Sequence, residues 1–340
     1  MNVTVTGDAL VVTPDKGQRG EFVEHLLTVG LNLPQRYTEQ LFYEQRVRIG
    51  GGIALPDGMV QAGQKIRLEG GILDEYGVEF ALHGASRASA ANPVLDASDL
   101  AKDVAAHVPL DILYEDEHLL VVNKPSNLLI HPGSESDWDS LDHRVARHYR
   151  QQGIQRRVYH VHRLDKDTSG AVLYAKHAYS ARALDGQLVE HKIHRRYMAL
   201  IAGHLRPSAG TITAALGRDR HVSGRYRLSP TGKPAITHYK SLASCRLGND
   251  TVSLVECELE TGRTHQIRVH MSSQGCPVIG DRLYGGGDGI GPIRFKSGQA
   301  LHARFLTFTH PYDQREVEVR APLPEDFRVA LHQLGLGTFE

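Results

Sequence analysis

Apolar and polar positions change their spacing several times along this chain. Glu21 to Val29 and Tyr37 to Arg46 carry apolar residues at helical spacing, with Gly30 and Pro34 breaking the chain between them. Two short alternating runs follow, Val47–Ile49 and Gln64–Leu68, joined by Gly, Pro and Asp turns, and read as strands. From Leu110 onward strand patterns dominate. Ile112–Tyr114 and Leu119–Val122 flank the acidic turn Glu115-Asp116-Glu117, and Ala171–Ala175, Tyr197–Ile201 and Val252–Leu259 are further strands. Helices are expected over Leu141–Gln151, Tyr179–Val189 and, after a Thr261-Gly262 turn, Gln266–Met271.

Strands and helices interleave without a regular βα repeat, which predicts an α+β fold built on a mixed, largely antiparallel sheet. Four parts are expected: a small N-terminal α/β module over 1–84 with its core at about 17–70, a small and polar linker over 85–108, a large domain over 109–330, and a tail over 331–340.

Composition narrows the classes. The 340 residues are 41% hydrophobic with a mean hydropathy of -0.32, which argues against disorder and membrane spanning. The first residues carry acids where a leader would carry bases, and three separated cysteines form no disulfide framework, so a cytoplasmic location is expected. The 39 bases and 39 acids balance, yet the sum conceals a gradient. Residues 1–118 hold 9 bases and 18 acids, and the rest therefore holds 30 and 21. Six arginines lie between Arg144 and Arg163, and six bases against one acid lie between Arg218 and Lys240. Two such clusters on a neutral protein point to a local polyanion site, RNA or DNA.

The densest chemistry is His160-Val161-His162-Arg163-Leu164-Asp165-Lys166-Asp167-Thr168-Ser169-Gly170, ahead of an apolar strand. A carboxylate between Arg163 and Lys166 can act as an ionised nucleophile or base, although an aspartate in such a turn more often bonds local backbone amides. The second stretch runs from Leu259 to Met271, LETGRTHQIRVHM. Arg268 follows the buried-looking Ile267, so its guanidinium can point inward, where it would require a carboxylate partner.

Together, HRLDKDTSG and TGRTHQIRVHM resemble the RluA-type pseudouridine synthase family, enzymes that isomerise uridine in structured RNA. The likeness extends over about 109–325 and includes Val121 to Pro125, His131-Pro132-Gly133, Arg196 to Leu200, Gly275 to Asp281 with Tyr284-Gly285, and Gln299 to Ala303. It implies a catalytic set of Asp165, Tyr197 and Arg268. Asp165 would attack the extruded nucleotide, at uracil C6 or at ribose C1′. Tyr197 would stack on the base and assist loss of the C5 proton, and Arg268 would pair with the aspartate and keep it anionic. Arg163 would fill the space left by the base. RNA contacts are expected from His162, Arg156, Arg157, Arg218, Arg225 and Lys233.

The N-terminal module resembles the S4-like RNA-binding domain of some family members, in a degenerate form with 7 bases and 6 acids over 16–70. The resemblance implies no cofactor and no metal, no membrane and no obligate protein partner. Its RNA would be large-subunit ribosomal RNA, with transfer RNA the alternative. Other classes fit less well. His191 and His194 give a metal-like spacing without a carboxylate, and Gly232-Lys233 runs into Pro234, which breaks a phosphate-loop helix. A non-catalytic RNA-binding protein on the same fold is the remaining rival.

Overall fold

The computed structural model describes residues 1–70, 108–133, 139–154, 156–295 and 298–337. The linker expected over 85–108 falls, except for Val108, outside the described residues.

The N-terminal module is a five-stranded antiparallel sheet carrying two helices. Its strands are β1 (Asn2–Thr6), β2 (Ala9–Thr13), β3 (Val47–Ile49), β4 (Gly52–Ile53) and β5 (Ile66–Glu69), in the order β1-β2-β5-β3-β4. The module's core thus reaches ahead of residue 17, to Leu10 and Val12. The first two strands form a hairpin turned at Gly7-Asp8, with Gly7 at φ 60°, as two-residue hairpin turns require. Helix α1 (Val23–His25) continues as a π-helical turn over Leu26–Gly30. Helix α2 (Gln35–Tyr43) begins right after Pro34 and ends before Gln45, which takes a left-handed φ of 56°; the expected extension to Arg46 is stopped there.

The large domain contains β6 (Ile112–Glu115), β7 (Leu119–Lys124), α3 (Leu141–Gln151), β8 (Tyr159–His160), β9 (Ser169–Ala175), α4 (Ala178–Val189) and β10 (His194–Ala202). There follow β11 (Ala209–Thr213), β12 (Leu216–Arg218), β13 (Tyr226–Leu228), β14 (Ile236–Leu247), β15 (Asp250–Leu259) and α5 (Gln266–Ser273). The chain closes with β16 (Gly289–Ile290), β17 (Ile293–Arg294), β18 (Leu301–Thr309), β19 (Glu316–Arg320) and α6 (Glu325–Gln333). Ten of these strands make one sheet, ordered β11-β14-β15-β10-β18-β9-β7-β6, with β19 beside β18 and β8 beside β9. Every pairing in it is antiparallel except β18 with β9, so the mixed, largely antiparallel α+β fold is observed.

Both faces of this sheet are covered, and the sequence shows why. In β7 the run Leu119-Leu120-Val121-Val122 is apolar throughout: Leu120 and Val122 join one core cluster, Leu119 and Val121 the other. Helix α3 presents Leu141, Val145 and Tyr149 to the first cluster, and Ser140 caps it by accepting from the His143 amide. The expected tail is partly core: α6 runs to Gln333, and Leu334 and Leu336 are buried against that cluster. Helix α4 joins the two parts, because Tyr179, with Tyr312, is buried in the core of the N-terminal module. The Tyr179 hydroxyl lies 3.1 Å from the carbonyl oxygens of both Glu69 and Gly70. No described helix is long and apolar enough to cross a membrane.

Candidate active site

Asp165 sits in the loop between β8 and β9, and that loop is tied down on both sides. The Lys124 ammonium, at the end of β7, donates to the carbonyls of Lys166 (2.8 Å), Leu128 (2.7 Å) and Pro125 (3.0 Å). Burial pushes this lysine down to about 7, against the opposing pull of the Asp165 and Asp167 charges. Ser126 donates to the Asp167 carbonyl at 2.8 Å, and Gln299 donates to the Thr168 hydroxyl at 2.8 Å. Gly170 follows at φ 118°, where β9 crosses so close to β18 that any β-carbon would overlap the Ala303 backbone. The result is a fixed aspartate whose side chain is 22% exposed at the floor of a cleft.

Arg268 reaches Asp165 from the first turn of α5, with Nη1 3.0 Å from Oδ2. Its other edge forms a two-point fork with Asp281, Nε to Oδ2 at 2.7 Å and Nη2 to Oδ1 at 2.9 Å. Burial alone would lower this guanidinium, but the bonds and charges of Asp281 and Asp165 raise it above its ordinary value. The turn before α5 is organised by the buried Gln266. Its oxygen accepts from the Thr261 hydroxyl and the Arg263 amide, and its amide donates to the Ile236 carbonyl and the Thr237 hydroxyl. His265 caps the helix at a left-handed φ of 59°; its Nδ1 meets the Tyr284 hydroxyl at 2.8 Å and its Nε2 lies 3.9 Å from Asp165. Burial lowers His265 from its ordinary value, which favours a neutral ring.

Tyr197 lines the same cleft from β10, buried, and burial with the Asp165 charge pushes its phenol up to about 12 against the opposing Arg195 charge. A phenol so placed is protonated at neutral pH. The cleft has a volume of about 1860 Å³ and runs from Asp165 to Asn32, Gln35, Arg36 and Tyr37 of the N-terminal module. Small-ligand pockets span roughly 300–1,000 Å³, so this one has the dimensions of a macromolecular groove. Behind His131 and His160, which line it, the buried Asp142 carboxylate meets Nδ1 of both histidines, at 3.2 Å and 3.3 Å, and the Tyr174 hydroxyl at 2.9 Å. Among the described residues no group of three His, Cys, Asp or Glu side chains is placed to hold a metal ion.

Residues 118–273, which contain Asp165, Tyr197 and Arg268, match the family model described as RNA pseudouridylate synthase. The chain is also 34% identical over 322 residues to the RNA pseudouridine synthase YhcT of Bacillus subtilis, covering 95% of this chain and 96% of that protein. The chain belongs to the RNA pseudouridine synthase family. It is therefore an isomerase that converts uridine to pseudouridine in RNA. Another relative is the ribosomal large subunit pseudouridine synthase D of Xylella fastidiosa, 41% identical over 232 residues, 66% of this chain and 69% of that protein. Among solved structures, human RNA pseudouridylate synthase domain containing 1 is 32% identical with a TM-score of 0.52, covering 65% of this chain and 86% of that one. These likenesses include the RluA-type resemblance seen in the motifs.

Within this family member, the expected site residues fall into three groups. Asp165, Arg268, Tyr197 and Arg163 all line the cleft, with Arg163 exposed at its mouth. Arg218 and Arg225 belong to the β12–β13 hairpin and Lys233 to an isolated bridge beside it, all three outside the cleft lining. Arg218 donates to the Tyr226 hydroxyl at 3.3 Å, Arg225 stands 5.8 Å over the Tyr284 ring, and Lys233 is exposed opposite Leu216.

The third group is His162, Arg156 and Arg157. His162 lines the cleft but is 6% exposed; its Nε2 accepts from the Leu173 amide, and burial, then the Arg195 charge, push it down to about 3. Burial keeps its ring neutral. Arg156 and Arg157 lie outside the cleft lining, and the Arg156 charge acts on Tyr149, His118 and His177. Asp281, His265 and Gln266 were not anticipated as site residues. Asp281 carried a signal, being an acid in the Gly275–Asp281 segment at a distance from the arginine that needed a partner.

Proposed function

We propose that this enzyme acts on large-subunit ribosomal RNA by extruding a uridine into the cleft, where Asp165 attacks the nucleotide. The observation that carries this reading is the position of Asp165: fixed at the floor of a macromolecular groove, joined to Arg268 at 3.0 Å, and facing the same space as Tyr197. Extrusion costs a few kcal/mol of unstacking, and Arg163, exposed beside the aspartate, is placed to occupy the vacated stack. Attack by the carboxylate lets the C1′–N1 bond break while the ring stays held against Tyr197. The ring rotates and C5 bonds to C1′, the bond from Asp165 to the nucleotide breaks and returns the free carboxylate, the C5 hydrogen leaves as a proton to water, and N1 takes up a proton. No redox change occurs. Arg268 compensates the Asp165 charge before attack, and the Asp281 fork keeps the guanidinium aimed.

The ribosomal assignment is supported by relatives named ribosomal large subunit pseudouridine synthase D, from Xylella fastidiosa and Pseudomonas aeruginosa, at 41% and 38% identity. The N-terminal module, read as S4-like, adds a second RNA surface, since Asn32, Gln35 and Arg36 share the cleft with Asp165. The test is release of tritium to water from RNA labelled at uridine C5, on large-subunit ribosomal and transfer RNA transcripts in parallel. Release from the ribosomal transcript alone is expected. Release from transfer RNA alone overturns the substrate, and release from neither overturns the reading for free RNA.

A further inference from the structure

One buried cation in the cleft pairs with no carboxylate among the described residues. Alternation along β10 sends Arg195 and Tyr197 to the cleft and Arg196 to the opposite face. Arg196 is fully occupied there: it meets Glu256 at 3.4 Å and Glu318 at 3.7 Å and stacks 4.4 Å over Phe305. Arg195 is different. It is 8% exposed, its buried Nε has no hydrogen-bond partner, and among the described residues it makes no ion pair with a carboxylate. Two of the cleft acids, Asp165 and Asp281, are held by Arg268. The turn opposite also leaves room for the Arg195 head: a β-carbon at Gly262 would stand 2.8 Å from Nη1. The charge is felt locally, as it helps push His162 down to about 3 after burial.

A guanidinium removed from water without an anion is unfavourable unless binding supplies one. In a cleft that receives RNA, the anions are backbone phosphates, whose oxygens match the guanidinium fork. Residues two apart on a strand stand roughly 7 Å from each other, the scale of a single nucleotide. A base against Tyr197 therefore brings its own phosphate within reach of Arg195.

We propose that Arg195 binds the backbone phosphate of the extruded uridine nucleotide, in a recess that Gly262 keeps open. This rests on the reading of Tyr197 as the wall that meets the base, and its test does not depend on turnover. Wild type, Arg195→Gln, Arg195→Lys and Gly262→Ala are titrated by NMR with uridine, uridine 5′-monophosphate and uridine 3′-monophosphate. Affinity for a large-subunit ribosomal RNA transcript is then measured across a potassium chloride series.

Wild type should prefer one monophosphate over uridine by at least about tenfold, as a charge-assisted fork implies. Arg195→Gln should lose that preference, and its salt slope should fall by about one. Arg195→Lys should keep the slope and part of the preference. Gly262→Ala should weaken the preference by crowding the head, and with the lysine variant it carries the test if Arg195→Gln does not fold. Equal binding of all three compounds by wild type, or a glutamine variant with the wild-type preference and slope, overturns the proposal and leaves Arg195 a structural charge. If nucleotide binding lies below detection, the salt slope decides alone. Absence of tritium release by wild type would count against the functional reading, while the phosphate preference and salt slope would still judge Arg195.

Discussion

Replacing Arg268 should damage stability and activity through two different carboxylates, and the two effects can be separated. The guanidinium makes three charge-assisted bonds, two to Asp281 and one to Asp165. The side chain of Asp281 is 1% exposed, whereas that of Asp165 is 22% exposed. Arg268→Met therefore strands a buried charge at Asp281, a defect worth about 3–5 kcal/mol. Asp165, partly in water, adds little to that cost. In Arg268→Met/Asp281→Leu both buried charges are gone, and a matched apolar pair is often neutral or better. Only the Leu283 amide, which donates to Asp281 at 3.2 Å, loses its partner, at about 1 kcal/mol. The double variant should thus recover most of the stability, with a coupling above about 2 kcal/mol in the mutant cycle. It should nevertheless remain slower by about 10²-fold or more in single-turnover tritium release, because Asp165 still lacks its partner. Urea unfolding and tritium release on the four proteins of the cycle give both readouts. A double variant at wild-type rate would remove Arg268 from catalysis, and a single variant costing under about 1 kcal/mol would refute the buried fork.

Three further outcomes follow from the geometry. Gly170→Ala should cost about 3 kcal/mol or more in urea unfolding, because the new β-carbon meets the Ala303 backbone at a φ of 118°. Gln266→Ala should cost about 2–4 kcal/mol by orphaning buried groups such as the Arg263 amide and the Ile236 carbonyl, and should lower kcat as the start of α5 shifts. Buried His118, His162 and His302 are pushed down to about 4, 3 and 4, mainly by burial, and His177 is also lowered. The unfolded chain binds protons there first, so stability is complete above about pH 6.5 and falls as pH drops toward 4. Each histidine adds about 1 kcal/mol per pH unit, readable as thermal midpoint against pH; a flat midpoint between pH 6.5 and 5 would contradict this.

What the sequence made legible was whatever local physics determines. Helix α3 is found where expected because Ser140, Leu141, Val145 and Tyr149 supply a cap and one apolar stripe. The β1–β2 hairpin had an equally local signal, alternating residues around Gly7-Asp8, yet its place in the sheet depends on pairing with β5, more than 50 residues away. The site divides in the same way. The approach of Arg268 to Asp165, separated by 103 residues, came from family motifs and not from spacing. Asp281 and Arg195 acquire meaning only from three-dimensional bookkeeping of charge: one acid completes a fork, and one arginine makes no ion pair among the described residues. Arg156 and Arg157 lie outside the cleft lining and His162 is buried for the converse reason, since a basic run in sequence does not state which face each side chain takes.

The central claim is that Asp165 attacks the nucleotide. Asp165→Ala and Asp165→Asn, compared with wild type on the same C5-tritiated ribosomal transcript, test it most directly when RNA affinity is measured in parallel. Both variants should release no tritium in single turnover while binding the transcript within a few-fold of wild type. Tritium release by either variant at a rate near wild type would contradict the account and move the chemistry to another residue.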